Sequence, residues 1–222
     1  MEIKNFRAIH DKEHLLEMIS EGEHENQDFK FCISDSRKIA RSIAAFANHS
    51  GGRLLIGVKD NGNIAGIRSE EEYYMIEQAA DMYCRPAQSV SQTLYCVDGK
   101  FVLVVDIRPA ASRPVLAQDD NRNWLVYYRI NDENIVAPNL LTRIWKASKR
   151  KGGILKYSET EADVLKFVAE RGTCSLNEIM ISCHLSKKMV EDIVVFLCSS
   201  GLLEPTHQRG TWLFAVTDQD EL

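Results

Sequence analysis

The run of residues 39–66, IARSIAAFANHSGGRLLIGVKDNGNIAG, constrains the fold of this chain more than any other stretch. An apolar helical pattern ends at Ala47-Asn48, and the doublet Gly51-Gly52 follows it. A four-residue apolar strand core then begins at Leu54, and the turn Asp60-Asn61-Gly62 comes behind it. The spacing predicts a helix, a tight turn and a β-hairpin, with the polar groups concentrated at the turns.

The same signals extend along the first 150 residues. Asp35 or Ser36 offers a side-chain oxygen that can cap the helix ending at Asn48. Asn61-Gly62 and Asp98-Gly99 are typical hairpin turns because both positions tolerate positive φ. The pattern predicts helices at about 12–20, 36–48, 70–83 and 139–149, and strands at about 27–33, 53–59, 64–67, 92–97, 101–108 and 124–130. Hairpins among helices indicate an α+β fold with a mixed sheet.

The pair Gly152-Gly153 separates this part from a shorter one. We predict one domain over 1–150 and a second over 154–218. The second begins with an amphipathic pattern over about 160–170, and two further helices follow, each with a serine in the capping position. Two short strands close it, with the polar loop His207-Gln208-Arg209-Gly210 between them. Three helices followed by a hairpin are typical of a winged helix-turn-helix.

Composition narrows the class of protein. The charged amino terminus does not resemble a signal peptide and no apolar run is long enough to span a bilayer, so we expect a cytoplasmic protein without a membrane partner. The six cysteines form no CxxC pair, which favours structural roles over metal binding.

Net charge is −1 over residues 1–150 (20 Lys+Arg, 21 Asp+Glu) and −4 over residues 151–222 (7 Lys+Arg, 11 Asp+Glu). A nucleic-acid contact must therefore use local basic patches.

The motifs of the first domain resemble those of the Schlafen-type Alba-like family, also called divergent AAA-type. The resemblance rests on GEHENQDFKF at 22–31, on the run 39–66 and on VYYR at 126–129, and it fades towards residue 137. It implies nucleic-acid binding, commonly DNA binding or transcription regulation, and bacterial relatives often carry a carboxy-terminal winged helix. The chain has no GxxxxGK[ST] motif, so a P-loop ATPase is excluded despite the AAA label.

Basic residues on the predicted helices, strands and loops are the candidates for phosphate contact. In the second domain, two lysines open the third helix, where a helix-turn-helix contacts DNA, and one arginine lies at the tip of the hairpin. The acidic Glu191 and Asp192 follow one turn later and weaken this expectation. The full set is Lys30, Arg37, Lys38, Arg41, Arg53 and Arg129 in the first domain, and Lys187, Lys188 and Arg209 in the second.

Three carboxylates give a different hypothesis. Some Schlafen relatives cleave RNA with three carboxylates, and the resemblance places these at Glu23, Asp28 and Asp60, with Asp28 standing where the family usually has glutamate. Such a cluster could hold Mg²⁺ or Mn²⁺ and activate water, with Lys30 beside a phosphate oxygen. Alternatively, Glu23 lies on a solvated loop and Asp60 only starts a turn. No metal or other cofactor is expected outside this hypothesis.

The sequence therefore favours a nucleic-acid-binding protein that regulates transcription, with DNA a better candidate than RNA and a homodimer possible. Two alternatives stay open: a metal-dependent ribonuclease, and an interaction module whose winged helix contacts protein. The doublet Gly51-Gly52 is similarly open, because it could cradle a phosphate with free backbone N–H groups or form a tight turn.

Overall fold

The computed structural model describes residues 7–149 and 158–217, which form two compact units divided between Ala137 and Pro138. The first unit contains three helices and eight strands within residues 7–137. Its helices are α1 (Lys12–Ser20), α2 (Ser36–Asn48) and α3 (Glu71–Met82). Its strands are β1 (Gln27–Lys30), β2 (Gly52–Ile56), β3 (Cys84–Arg85), β4 (Val90–Val97), β5 (Lys100–Ile107), β6 (Leu116–Gln118), β7 (Trp124–Ile130) and β8 (Glu133–Val136).

Two four-stranded sheets organise the first unit. One has the order β1-β2-β5-β4, with β1 parallel to β2 and the other pairs antiparallel. The other has the order β3-β6-β7-β8 and is antiparallel throughout. Helix α2 packs against both sheets and buries Ile43, Ala44 and Phe46 completely. The predicted α+β class, with a mixed sheet and hairpins, is confirmed.

Helix α2 begins and ends where the sequence predicts. Asp35 is the N-cap, and its Oδ1 accepts a hydrogen bond from the Arg37 backbone N–H at 2.8 Å. The hairpin of β4 and β5 also forms as predicted, with positive φ at Asp98 (50°) and Gly99 (77°). These elements depend on neighbours in sequence, which is why local patterns identify them.

The hairpin predicted between 53–59 and 64–67 is wrong as a two-stranded ladder. Only Val58 and Ile64 form a β-bridge there. Both edges of β2 are already occupied, by β1 on one side and β5 on the other. The segment after the turn therefore has no edge of β2 along which to pair, although Gly62 does adopt the expected positive φ of 79°.

The second unit consists of helices followed by a hairpin. Three short strands form an antiparallel sheet in the order β10-β11-β9. The elements are α4 (Asn139–Ser148), α5 (Glu159–Arg171), β9 (Thr173–Ser175), α6 (Leu176–Ser182), α7 (Lys187–Ser199), β10 (Leu203–Gln208) and β11 (Thr211–Val216). The predicted succession of three helices and a hairpin is present as α5, α6, α7 and the β10–β11 pair. Ser175 and Ser186 cap α6 and α7, as expected.

Helix α4 lies in the second unit, whereas the predicted boundary places it at the end of the first domain. Its Ile144 is 4% exposed and belongs to the core that includes Val164, Val194 and Phe214. The physical reason is its apolar face, which packs on α7. The predicted linker Gly152-Gly153 lies outside the described residues. No helix in the described ranges is both long and apolar enough to cross a membrane.

The cysteines are all unpaired thiols, and three of them, Cys84, Cys174 and Cys198, are buried in the cores. Burial raises the pKa of Cys84 and of Cys198 to about 12, which keeps both protonated at neutral pH. The Cys84 Sγ lies 3.5 Å from the Ala40 carbonyl oxygen. These two thiols behave as small apolar side chains.

Candidate nucleic-acid interface

The side chain of Arg129 on β7 lies in the interior of the first unit and is 1% exposed. Its Nη2 donates to the backbone carbonyl oxygens of His24 and Gln27, both at 3.1 Å, and its Nη1 donates to Asn134 Oδ1 at 3.1 Å. Its guanidinium also lies 4.9 Å from the ring centroid of Phe46. Because Arg129 is buried, a phosphate cannot reach this predicted contact residue in the folded protein. Arg129 instead ties the 22–27 segment to β7 and α2.

Two of the three predicted carboxylates lie beside Arg129. Asp28 is 4% exposed, with Oδ1 3.8 Å from Arg129 Nη2 and Oδ2 2.6 Å from Lys30 Nζ. The Glu23 side chain accepts a hydrogen bond from the Phe29 backbone N–H at 2.9 Å. Burial, and then a hydrogen bond with Asp28, raise the pKa of Glu23 above its ordinary value. Glu23 and Asp28 are thus close together, and two cations offset their charge.

The third carboxylate, Asp60, is exposed in the turn after β2. Within residues 7–149 and 158–217, no three His, Cys, Asp or Glu side chains lie close enough to hold a metal ion together. Glu23 and Asp28 are therefore brought together without Asp60.

The turn at Gly51-Gly52 is closed around protein groups. The Gly51 backbone N–H donates to the Phe46 carbonyl oxygen at 3.0 Å, and Gly51 has a φ of 81°. A Cβ at Gly52 would lie 2.4 Å from the Phe46 ring and 2.7 Å from the Asn26 carbonyl oxygen. The doublet thus forms the tight turn, with the Gly51 N–H already used.

Asn48 anchors this turn to the second sheet of the unit. Its Nδ2 donates to the carbonyl oxygens of Val115 and Tyr127, and its Oδ1 accepts from the Val115 N–H, all at 2.7 Å. Asn48 is fully buried, so these bonds replace every contact with water. The motif AFAN therefore ends with a residue that fastens α2 to β7.

The other predicted cations of the first unit divide into paired and unpaired ones. Arg41 Nη2 lies 2.7 Å from Asp120 Oδ1, and this hydrogen bond raises the pKa of Arg41. Arg53 forms a short ion pair with Glu21. Arg37 lies 4.8 Å from the Tyr83 ring centroid. Lys38 is exposed, and neither it nor Arg37 has a carboxylate within 4.0 Å among the described residues.

In the second unit, the three predicted cations are exposed. Lys187 and Lys188 form the first turn of α7, and Arg209 lies at the tip of the β10–β11 hairpin with a φ of 49°. None of the three forms an ion pair with another described residue. Lys187 and Lys188 thus lie at the end of α7 that a helix-turn-helix would direct at DNA.

The acidic residues of α7 are partly neutralised by an arginine of α4, the helix that the predicted boundary assigns to the first domain. Arg143 on α4 donates to Glu191 Oε2 at 3.1 Å and forms a short hydrogen bond with Asp192. The net charge of this trio is therefore close to that of one carboxylate rather than two. The role of Arg143 depends on the packing of α4 against α7, so the sequence around it could not reveal that role.

Other exposed cations were missed because the signal is spatial. Arg85 lies 3.9 Å from the ring centroid of Trp124, although the two residues are far apart in sequence. Phe31 has two cations over its ring, Lys59 at 5.6 Å and Arg68 at 5.0 Å. Only the motif FKF at 29–31, an aromatic next to a lysine, could have drawn attention to Phe31.

Solved structures show partial similarity to this chain. The DIP2311 protein from Corynebacterium diphtheriae is 18% identical, with a TM-score of 0.43, and the match covers 64% of this chain and 34% of that protein. The N-terminal domain of an ATP-dependent DNA helicase RecG-related protein from Nitrosomonas europaea is 20% identical, with a TM-score of 0.38, over 65% of this chain and 94% of that domain. Both TM-scores are below 0.5, so we base no conclusion on them.

The matched part of this chain spans about a third of the Corynebacterium diphtheriae protein. No curated protein matches the chain in sequence. The family comparison is more informative, because residues 23–138 match the family described as Schlafen, AlbA_2. This range contains GEHENQDFKF from its second residue onward, the whole run 39–66 and VYYR at 126–129. Since the match spans more than half of the 222 residues, the chain belongs to the Schlafen, AlbA_2 family.

Proposed function

We propose that this protein binds nucleic acid, with DNA as the preferred partner, and regulates transcription through a winged helix-turn-helix in its second unit. The order α5, α6, α7 and the β10–β11 hairpin supports this assignment, with α7 as the recognition helix and the hairpin as the wing. Membership of the Schlafen, AlbA_2 family supports a nucleic-acid partner for the first unit, as the resemblance of the motifs implied.

One observation carries the proposal. Lys187, Lys188 and Arg209 are exposed and unpaired among the described residues, while Arg143 occupies Glu191 and Asp192. The positive charge at the start of α7 is therefore available to phosphates, and Arg143 compensates part of the negative charge one turn later. Overall the second segment is acidic, so we expect a local contact of few phosphates and a modest salt dependence.

The test is the binding of a fluorescein-labelled duplex of 30 base pairs, measured by anisotropy from about 50 mM to about 200 mM salt. Each phosphate contact adds about 0.9 to the slope of log affinity against log salt. We expect Lys188→Gln to weaken binding and to lower that slope by about one unit. Lys166→Gln makes the same charge change on the exposed side of α5 and is the matched control.

Absence of duplex binding by the wild-type protein at about 50 mM salt would contradict the proposal, because low salt strongly favours phosphate contacts. The second unit would then be better interpreted as a module whose winged helix contacts protein. An equal effect of Lys188→Gln and Lys166→Gln would place the contact elsewhere than α7. Mass photometry of the same mixtures counts the protomers on each duplex, which tests the homodimer that paired half-sites require.

A further inference from the structure

Phe31 follows the last residue of β1 and is 42% exposed. Two cations lie over its ring: Lys59 Nζ is 5.6 Å from the ring centroid, and Arg68 Cζ is 5.0 Å from it. We call Phe31, Lys59 and Arg68 the aromatic platform. Tyr74, the other strongly exposed aromatic residue of the described chain, has no cation over its ring. Exposure together with two converging cations thus distinguishes Phe31.

The positive charge of the platform is not neutralised by a surface carboxylate. Neither Lys59 nor Arg68 has a carboxylate oxygen within 4.0 Å in the described ranges, in contrast to Arg41 and Arg53. The acid associated with Arg68 is Glu72, which is 3% exposed and accepts the Arg68 backbone N–H at 3.1 Å. An anion approaching from solvent therefore meets two cations and an aromatic ring.

The platform is built where three chain segments meet. The Gly57 N–H donates to the Lys30 carbonyl oxygen at 2.7 Å, which joins the end of β2 to the end of β1. The Gly57 carbonyl oxygen in turn accepts from the N–H groups of Ala65 and Gly66 at 2.8 and 2.9 Å. These bonds hold the segments that carry Phe31, Lys59 and Arg68 together. Such preorganisation reduces the entropy lost when a ligand orders the site.

Gly57 is what allows the segments to come so close. Its φ is 94°, and a Cβ there would lie 2.8 Å from both Gly66 C and Ile67 N. Any other residue would separate the segment after β2 from the segment that leads to Arg68. Backbone geometry therefore brings the segments that carry Lys59 and Arg68 close to the same ring.

We propose that the aromatic platform binds an unpaired nucleotide of a single-stranded nucleic acid. The base stacks on the exposed part of Phe31 or on the outer side of the Arg68 guanidinium that lies over the ring, and the flanking phosphates contact Lys59 and Arg68. This site rests on the proposed nucleic-acid function and specifies its ligand: a single strand, in the first unit, in addition to a duplex at α7.

The ligand is a single strand because of what the platform offers. Base–aromatic stacking needs a free base face, and a duplex keeps its base faces stacked inside the helix. Cations beside an aromatic ring are typical of sequence-tolerant single-strand sites, where the charges follow the backbone and the rings hold the bases. A duplex could use the charges of Lys59 and Arg68 but would leave Phe31 without a partner.

The experiment uses the full chain and three labelled probes: oligo(dT) and oligo(U) of 20 nucleotides, and a mixed-sequence DNA duplex of 20 base pairs. Phe31→Ala is compared with Tyr74→Ala, which removes an aromatic ring of similar exposure from the same unit. We expect Phe31→Ala to weaken single-strand binding by roughly 5- to 150-fold, as the loss of one stacked base predicts, and to leave duplex binding unchanged. Lys59→Gln combined with Arg68→Gln should lower the single-strand salt slope by about 1.4.

A second variant separates stacking from folding. Phe31→Trp keeps an aromatic face, so we expect it to retain affinity and to add fluorescence quenching on binding beyond that of the wild type. Preference for oligo(dT) or for oligo(U) identifies the natural source of the strand, and either preference supports the platform. Circular dichroism melts should be the same for the wild type and Phe31→Ala, because the ring is outside the core.

Three results would overturn the platform, and they have different consequences. Wild-type binding to duplex but not to single strands removes the platform and leaves the proposed function intact. Equal single-strand losses in Phe31→Ala and Tyr74→Ala, with binding by the wild type, also remove only the platform. Failure of the wild type to bind any of the three probes at about 50 mM salt removes the platform and the proposed function together.

Discussion

In the first unit, the predicted phosphate contact Arg129 lies in the core, whereas in the second unit the predicted contacts Lys187 and Lys188 lie at the surface. Arg129 is 1% exposed and holds two backbone carbonyls, but Lys187 and Lys188 extend from the first turn of α7 without a partner among the described residues. The difference teaches that a basic residue in a nucleic-acid-binding family is not necessarily a phosphate contact. In this chain, Arg129 is part of the packed interior, whereas Lys187 and Lys188 are exposed without an ion pair among the described residues.

Arg129→Met has the largest expected effect, because it removes one of the two cations beside the buried Asp28 and one donor from each of the His24 and Gln27 carbonyl oxygens. We expect the free energy of unfolding of the first unit to fall by about 3–5 kcal/mol, as when one partner of a buried ion pair is removed. Urea unfolding followed by circular dichroism measures the change. Arg108→Met, on the exposed surface, should shift it by about 0.5 kcal/mol or less. Equal losses in the two variants would refute the structural role of Arg129.

Asn48→Ala should be the next most damaging change. It removes three hydrogen bonds to the backbone of Val115 and Tyr127 in a site without water contact, and each group left unsatisfied costs about 1–3 kcal/mol. We expect a loss of about 3 kcal/mol, measured by the same urea unfolding. The control Asn121→Ala lies in an exposed loop. A loss below about 1 kcal/mol would mean that α2 does not depend on this anchor.

Glu23→Gln tests the carboxylate pair of the first unit through pH. The folded pKa of Glu23 is raised, chiefly by burial and then by Asp28, so its ionisation destabilises the fold. Wild-type stability should therefore fall as pH rises from about its ordinary pKa of 4.5 through the raised value. Glu23→Gln lacks this titration and keeps an oxygen for the Phe29 N–H.

The measurement is urea unfolding of wild type and Glu23→Gln at several pH values between about 4 and 8. The difference in stability between them should change across the lower part of this range in favour of the variant. Glu13→Gln, on the exposed side of α1, makes the same change in net charge and is the control. Parallel pH profiles for the wild type and Glu23→Gln would contradict the raised pKa.

The double variant Lys187→Gln, Lys188→Gln should change stability least. Exposed side chains without ion pairs contribute within about 0.5 kcal/mol, so the thermal midpoint should stay close to that of the wild type. The same variant is expected to lose duplex affinity. A clear loss of stability would mean that these lysines support α7 as Arg129 supports β7, and the contrast between the two units would disappear.

The sequence by itself determined the elements whose causes are local. Helix α2 follows from its apolar period, its Asp35 cap and the glycines behind it, and the β4–β5 hairpin follows from Asp98-Gly99. The family also follows from the sequence, because the order of its motifs along residues 23–138 is a property of the chain alone. The three helices and hairpin of the second unit could be predicted for the same local reasons.

Tertiary structure decided which residues meet, because those contacts join segments distant along the chain. Burial of Arg129 depends on the approach of residues 22–27 to β7, and the pairing of Arg143 with Glu191 depends on α4 packing against α7. Asp60 stays apart from Glu23 and Asp28, and Lys59 and Arg68 converge on Phe31, because β2 pairs with β1 and β5 and leaves the following segment to turn back. Local periodicity contains no information on such pairings, so the fold class was predictable and the site was not.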